Sequence, residues 1–174
     1  MIGYVEKVRR AAISRNGEPL YNGSVDHAAV LAEAMFTHAE KSVDILTGEL
    51  NARVYGGAAV VDRVKEFLSK SSRRVRILVE QPELIDREDH PFFVAFSDRD
   101  DVEVKVLPSA LSSLIPYHFM VMDNDCYRFE DDKTKHAAVA SFGDPVGGKK
   151  LASIFEDLWK VGESLSPIAS KPAV

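Results

Sequence analysis

Residues 116–143 read PYHFMVMDNDCYRFEDDKTKHAAVASFG, and the way this stretch divides decides the fold. Tyr117 to Met122 is apolar and extended, Asp123-Asn124-Asp125 is a tight polar turn, and Cys126 to Glu130 is a second extended run. Together they predict an antiparallel strand pair. A third extended run, Ala137 to Phe142, leads into Gly143-Asp144-Pro145. Beyond Gly147-Gly148, the residues Leu151, Ile154, Phe155, Leu158 and Trp159 recur at the spacing of a closing amphipathic helix.

Upstream the rhythm is different. Ser24 and His27, then Ala28, Leu31, Ala32, Met35, Phe36 and Ala39, follow a helical period that ends near Lys41. Ser42 to Thr47 alternates as a strand. A second helix between Gly57 and Lys70 carries Val60, Val61, Val64, Phe67 and Leu68 on one face, and Arg74 to Glu80 is a strand broken by Pro82. His90 to Ser97 suits a short helix, with Phe92, Phe93 and Phe96 in the core. Val102 to Leu107 is the next strand, up to Pro108. Strands alternating with helices predict a largely parallel sheet. The expected organisation is an appendage at 1–23, a domain at 24–165 and a flexible Ser/Pro/Ala-rich tail at 166–174.

The chain has 174 residues, 45% hydrophobic and 28% charged, which fits one globular domain and excludes a disordered or fibrous chain. With 22 Lys and Arg against 27 Asp and Glu, the net charge of −5 is not that of a generally basic DNA binder. The single cysteine, Cys126, excludes an intrachain disulfide and a structural zinc site. The N-terminus lacks the apolar core of a signal peptide, and no stretch approaches the roughly 20 apolar residues of a membrane span. A cytoplasmic protein with no membrane role is expected. The acidic group Asp86, Glu88, Asp89 with His90 reads as a solvated loop, and His27 and His38 lack a metal-ligand spacing. No metal and no cofactor are expected. Gly147-Gly148-Lys149-Lys150 opens a helix and is not a P-loop. The basic run Lys7, Arg9, Arg10 and Arg15 is a solvated helix face or a nucleic-acid contact.

His118, then Met120 two residues on, then Asp125, with Ala140-Ser141-Phe142-Gly143 after the next strand, resemble the signature of the phospholipase D-like superfamily. That signature has His, Lys and Asp at this spacing, followed by Gly-Ser-x-Asn. The likeness runs from Ser24 to Leu165 and includes AEKSVDILT, RRVRILVE and FEDLW. It implies an α/β fold, a phospholipase D-like half-domain with a mixed, mostly parallel sheet flanked by helices. It also implies catalytic positions at His118, Asp125 and Ser141. Met120 stands where the family has Lys, and the Asn is absent. Losing one such charge-stabilising donor costs about 100- to 1000-fold in rate. Lys105, Arg128, Lys149 and Lys150 are the candidate substitutes for binding the anion, the last two beside the free amides of a helix start. If Met120 is the lesion, Met120→Lys restores diesterase activity.

Each residue also has a structural reading. His118 is a buried histidine held at a sheet end, a nucleophile or a lining of a binding cleft. Asp125 is a turn residue or an orienter of His118, and Ser141 a local hydroxyl or a phosphate ligand. Three functions follow. The first is a catalytically degenerate module that binds a protein partner, a phosphodiester or nucleic acid. The second is a homodimeric phosphodiesterase or nuclease acting through His118, as in single-signature members of the superfamily. The third is a ligand-sensing domain of a larger regulatory assembly, although no helix-turn-helix is evident.

Overall fold

The computed structural model describes residues 1–165, so the tail at 166–174 lies outside the described residues. The chain runs α1 (Ile2–Ser14), β1 (Leu20–Asn22), α2 (Val25–His38), β2 (Ser42–Thr47), α3 (Ala52–Tyr55) and α4 (Ala58–Leu68). It continues with β3 (Arg74–Val79), α5 (Pro91–Phe96), β4 (Val102–Val106), α6 (Ser109–Ser112), β5 (His118–Met122) and β6 (Cys126–Glu130). β7 (Ala138–Phe142), α7 (Pro145–Val161) and β8 (Glu163–Ser164) complete it. The strands form one mixed eight-stranded sheet in the order β1-β7-β6-β5-β2-β3-β4-β8.

The expected parallel character holds only for β2–β3 and β3–β4; the other five pairings are antiparallel. Only the connections from β2 through β4 return through helices to the same end of the sheet. A tight turn, which can join only antiparallel strands, links β5 to β6, and the segment 131–137 reverses the chain again into β7. The first 23 residues belong to the same body. α1 buries Val8 and Ala12, β1 pairs with the edge of β7, and Gly17 N–H donates to Phe142 O at 2.9 Å.

The pleat divides the core in two. One face carries Val43, Ile45, Val75, Ile77, Met120, Met122 and Phe142 against the N-terminal helices, including Phe36, Phe67, Phe92 and Phe96. The other carries Leu46, Leu78, Phe119 and Val121 under Leu151, Phe155 and Trp159 of α7. Gly148 lets α7 approach, because a Cβ there would collide with the backbone of Asn124 and Asp125. β2 is buried on both sides, so its one charged residue needs a partner. Asp44 receives Arg76 Nε and Nη2 at 2.8 and 2.9 Å, both residues being paired in register on β2 and β3.

Arg76→Met would strand the Asp44 carboxylate in this interior and should cost about 3–5 kcal/mol in urea unfolding. The double variant Asp44→Leu/Arg76→Met should recover most of that. A single-variant loss below about 1 kcal/mol would show that the pair is not the interior constraint described.

Candidate functional site

Three strand ends meet at one end of the sheet. β3 ends beside Glu80, β5 begins at His118, and the β5–β6 register places Glu130 directly opposite His118. His118 Nε2 lies 3.2 Å from Glu80 Oε2, and Nδ1 lies 3.7 Å from Glu130 Oε2. Lys133, from the segment joining β6 to β7, bonds Glu80 Oε2 at 2.9 Å and Ser112 O at 2.8 Å. Arg128 is buried in register with Met120, and its Nη2 bonds Glu130 Oε1 at 2.5 Å. His118, Glu130, Arg128 and Lys133 line a cavity of about 250 Å3, walled by α2 and α3 and by Gly48 and Gln81 beyond the ends of β2 and β3. Sites at the carboxyl ends of parallel strands are a general feature of α/β sheets.

Burial alone would lower the pKa of His118, but its interactions with Glu130 and Glu80 outweigh that and hold it above the ordinary value. Burial alone would raise both carboxyls. For Glu80 the bonds from His118 and Lys133 prevail, and for Glu130 the nearby His118 ring and the bond from Arg128, so both lie below the usual glutamate value. Each carboxyl thus favours its charged form, and the two together favour the imidazolium of His118. Burial pushes the Tyr55 hydroxyl in the cavity wall up to about 12. Two buried atoms here, Arg128 Nε and Glu80 Oε1, have no hydrogen-bond partner among the described residues.

Of the positions singled out in the sequence, His118 and Arg128 share this cavity and the others do not. Asp125 lies beyond the far end of β5, where its carboxylate takes Arg15 Nη2 at 2.7 Å, so it does not orient His118. The neighbouring Asp123 pins that turn, accepting from the backbone N–H groups of Glu40, Lys41 and Ser42 at 2.7 to 2.9 Å. Ser141 is buried opposite Tyr127 on the α7 side of the sheet, away from His118. Lys105 bonds Trp159 O at 3.0 Å, near the carboxyl end of α7. Lys149 and Lys150 sit exposed on α7, whose first amides are already capped by Asp144. His90 is fully engaged, with Nε2 against Leu50 O and Nδ1 receiving Phe92 N–H.

A family described as "Domain of unknown function (DUF7931)" matches residues 24–168. The chain belongs to that family. The matched region begins at Ser24, whose side chain caps α2. No curated protein matches the chain. Among solved structures, the chain resembles Nuc from Salmonella typhimurium, described as a phospholipase D family member. The TM-score is 0.56 and the identity 16%, over 86% of this chain and 100% of that one. NucT from Helicobacter pylori aligns with TM-score 0.63 and 9% identity over 85% of this chain and 99% of that one. TrmBL2, an archaeal chromatin protein whose structure shows a novel mode of DNA binding, aligns with TM-score 0.63 and 12% identity over 86% of this chain. The chain spans 55% of the length of TrmBL2. At such identities the likeness establishes the fold, which is phospholipase D-like. Among the described residues no helix is long and apolar enough to cross a membrane.

Sequence reasoning missed Glu80, Glu130 and Lys133. Glu130 was within reach, because a turn that pairs Met122 with Cys126 places His118 opposite Glu130. Glu80 and Lys133 become visible only once β3 and the β6–β7 segment are placed in space.

The raised His118 pKa makes its contribution to stability complete below its ordinary value of 6.5 and progressively lost as pH rises through the folded value. The lowered glutamates act in reverse: their contribution is present above 4.5 and lost on acidification. Unfolding free energy measured across this range should therefore fall on the alkaline side, and His118→Gln should flatten that limb. An unchanged alkaline limb in the variant would contradict the assignment.

Proposed function

We propose that the chain is a catalytically degenerate phospholipase D-like module that holds a phosphodiester or related anion in the His118 cavity without turning it over. The arrangement of His118 carries this reading. A nucleophilic imidazole needs a lone pair on the attacking nitrogen. Here a carboxylate oxygen faces each ring nitrogen, and an acceptor on both sides favours the imidazolium, which has none. Met120 adds no charge where a cation would offset the developing negative charge. Arg128, beside it across the strand pair, is the substitute the geometry favours, because its buried Nε–H is a donor with no partner among the described residues. TrmBL2, described as binding DNA, makes a nucleic-acid backbone one of the ligands to test.

Hydrolysis of bis-p-nitrophenyl phosphate in EDTA should not differ between the wild type and His118→Ala. A short single-stranded oligonucleotide should bind saturably and about tenfold more weakly to Arg128→Gln, the effect of losing one charge-assisted bond. Turnover that disappears in His118→Ala, or binding indifferent to Arg128→Gln, would contradict the proposal. Met120→Lys should gain no activity. Met120 is buried in the core beside Arg128, where a second cation without a carboxylate of its own destabilises the fold.

A second reading, pairing of two copies as a homodimer, is supported by the likeness in fold to Nuc and NucT, which align over 100% and 99% of their chains. Sedimentation should then give about twice 19.3 kDa. A concentration-independent monomer would remove this reading while leaving the His118 cavity as described.

A further inference from the structure

At the end of the sheet opposite the His118 cavity, and on the α7 side, a polar hollow of about 310 Å3 opens between the starts of β2 and β3, the β5–β6 turn and α7. Ser42, Arg74, Asn124, Lys149 and Ser153 line it. Their side chains have no hydrogen-bond or ion-pair partner among the described residues. The floor is the guanidinium of Arg76, whose side chain is only 7% exposed. Asp44 takes Nε and Nη2, and Glu156 takes Nη1 at 2.9 Å. A guanidinium has five N–H groups, so two remain for a further acceptor. The Glu156 side chain is 48% exposed and can move aside.

Three cations against two carboxylates leave one positive charge in excess, in a chain whose net charge is −5. The neutral groups around them are hydroxyls and a carboxamide, all able to donate. Convergent Arg and Lys with neutral donors match the several acceptor oxygens of a tetrahedral oxyanion, and they match a carboxylate or a halide less well. We propose that this hollow is a second anion site, separate from the His118 cavity, that takes a phosphate group. The group can come from free phosphate or from a nucleic-acid backbone, which share this chemistry.

The test follows the backbone amide signals of Ser42, Asn124 and Ser153 in the full chain while phosphate is added, with sodium chloride of equal ionic strength as the control. A parallel titration uses a short single-stranded oligonucleotide without a terminal phosphate. Saturable, phosphate-specific shifts at these three amides are expected in at least one titration. A response to inorganic phosphate alone identifies a small phosphate ligand, and a tighter response to the oligonucleotide identifies a nucleic-acid backbone. The exposed double variant Arg74→Ala/Lys149→Ala should weaken that binding roughly tenfold or more, and oligonucleotide binding at the His118 cavity, read through the Arg128→Gln difference, should persist. Equal shifts with chloride, no specific shift in either titration, or full affinity in the double variant would each overturn the proposal.

Discussion

A single imidazole held between two carboxylates governs the candidate site. Desolvating one ion in a protein interior is costly, and a buried charge persists only when partners of opposite sign surround it. Glu80 and Glu130 arrive from strands on either side of the β2–β5 pair, and His118 stands between them. Lys133 shares with the ring the Glu80 oxygen that faces it, and Arg128 takes the Glu130 oxygen that faces away. Each member depends on the next. The result is a preorganised ionic cluster whose carboxylates hold the His118 pKa above its ordinary value.

The sheet that delivers these groups is stabilised elsewhere by the same principle. Asp44 sits on the strand buried on both faces, and the Arg76 fork satisfies it across one parallel register. Arg76 also lies over Phe155 and Trp159, with its carbon 5.1 and 5.3 Å from the ring centroids, so this ionic pair is tied to the packing of α7. The two faces thus divide the work. The side covered by the N-terminal helices holds the His118 cavity, and the side covered by α7 holds the long-range ionic pair and the polar hollow beside it.

Much of the fold was legible because local signals agreed with one another. The alternation in SVDILT and RVRILV, the Asp-Asn-Asp turn and the spacing of Leu151, Phe155 and Trp159 each correspond to observed elements. Strand direction was less legible, since it depends on connections: the chain enters β5 beside β2 in the reverse sense after α6. The first 23 residues looked detachable because turn dipeptides separate them, yet Leu20–Asn22 joins the sheet edge. The candidate site was half legible. Only the family resemblance gave Asp125 a catalytic role, its own reading being a turn residue, and the hairpin sends Asp125 to the far end of β5 and leaves Glu130 beside His118. Ser141, given a catalytic role by the same resemblance, faces the α7 side, because a strand's alternate residues face opposite sides of the sheet.

The protonation state of His118 tests the account most directly. The ring nitrogen and carbon shifts of His118, followed by NMR through a pH titration of the full chain, should show an imidazolium that titrates above 6.5. Its midpoint should fall when Glu80 or Glu130 is replaced by Gln. A neutral ring that titrates below 6.5, with one nitrogen free to attack, would contradict the account and return His118 to the role of nucleophile.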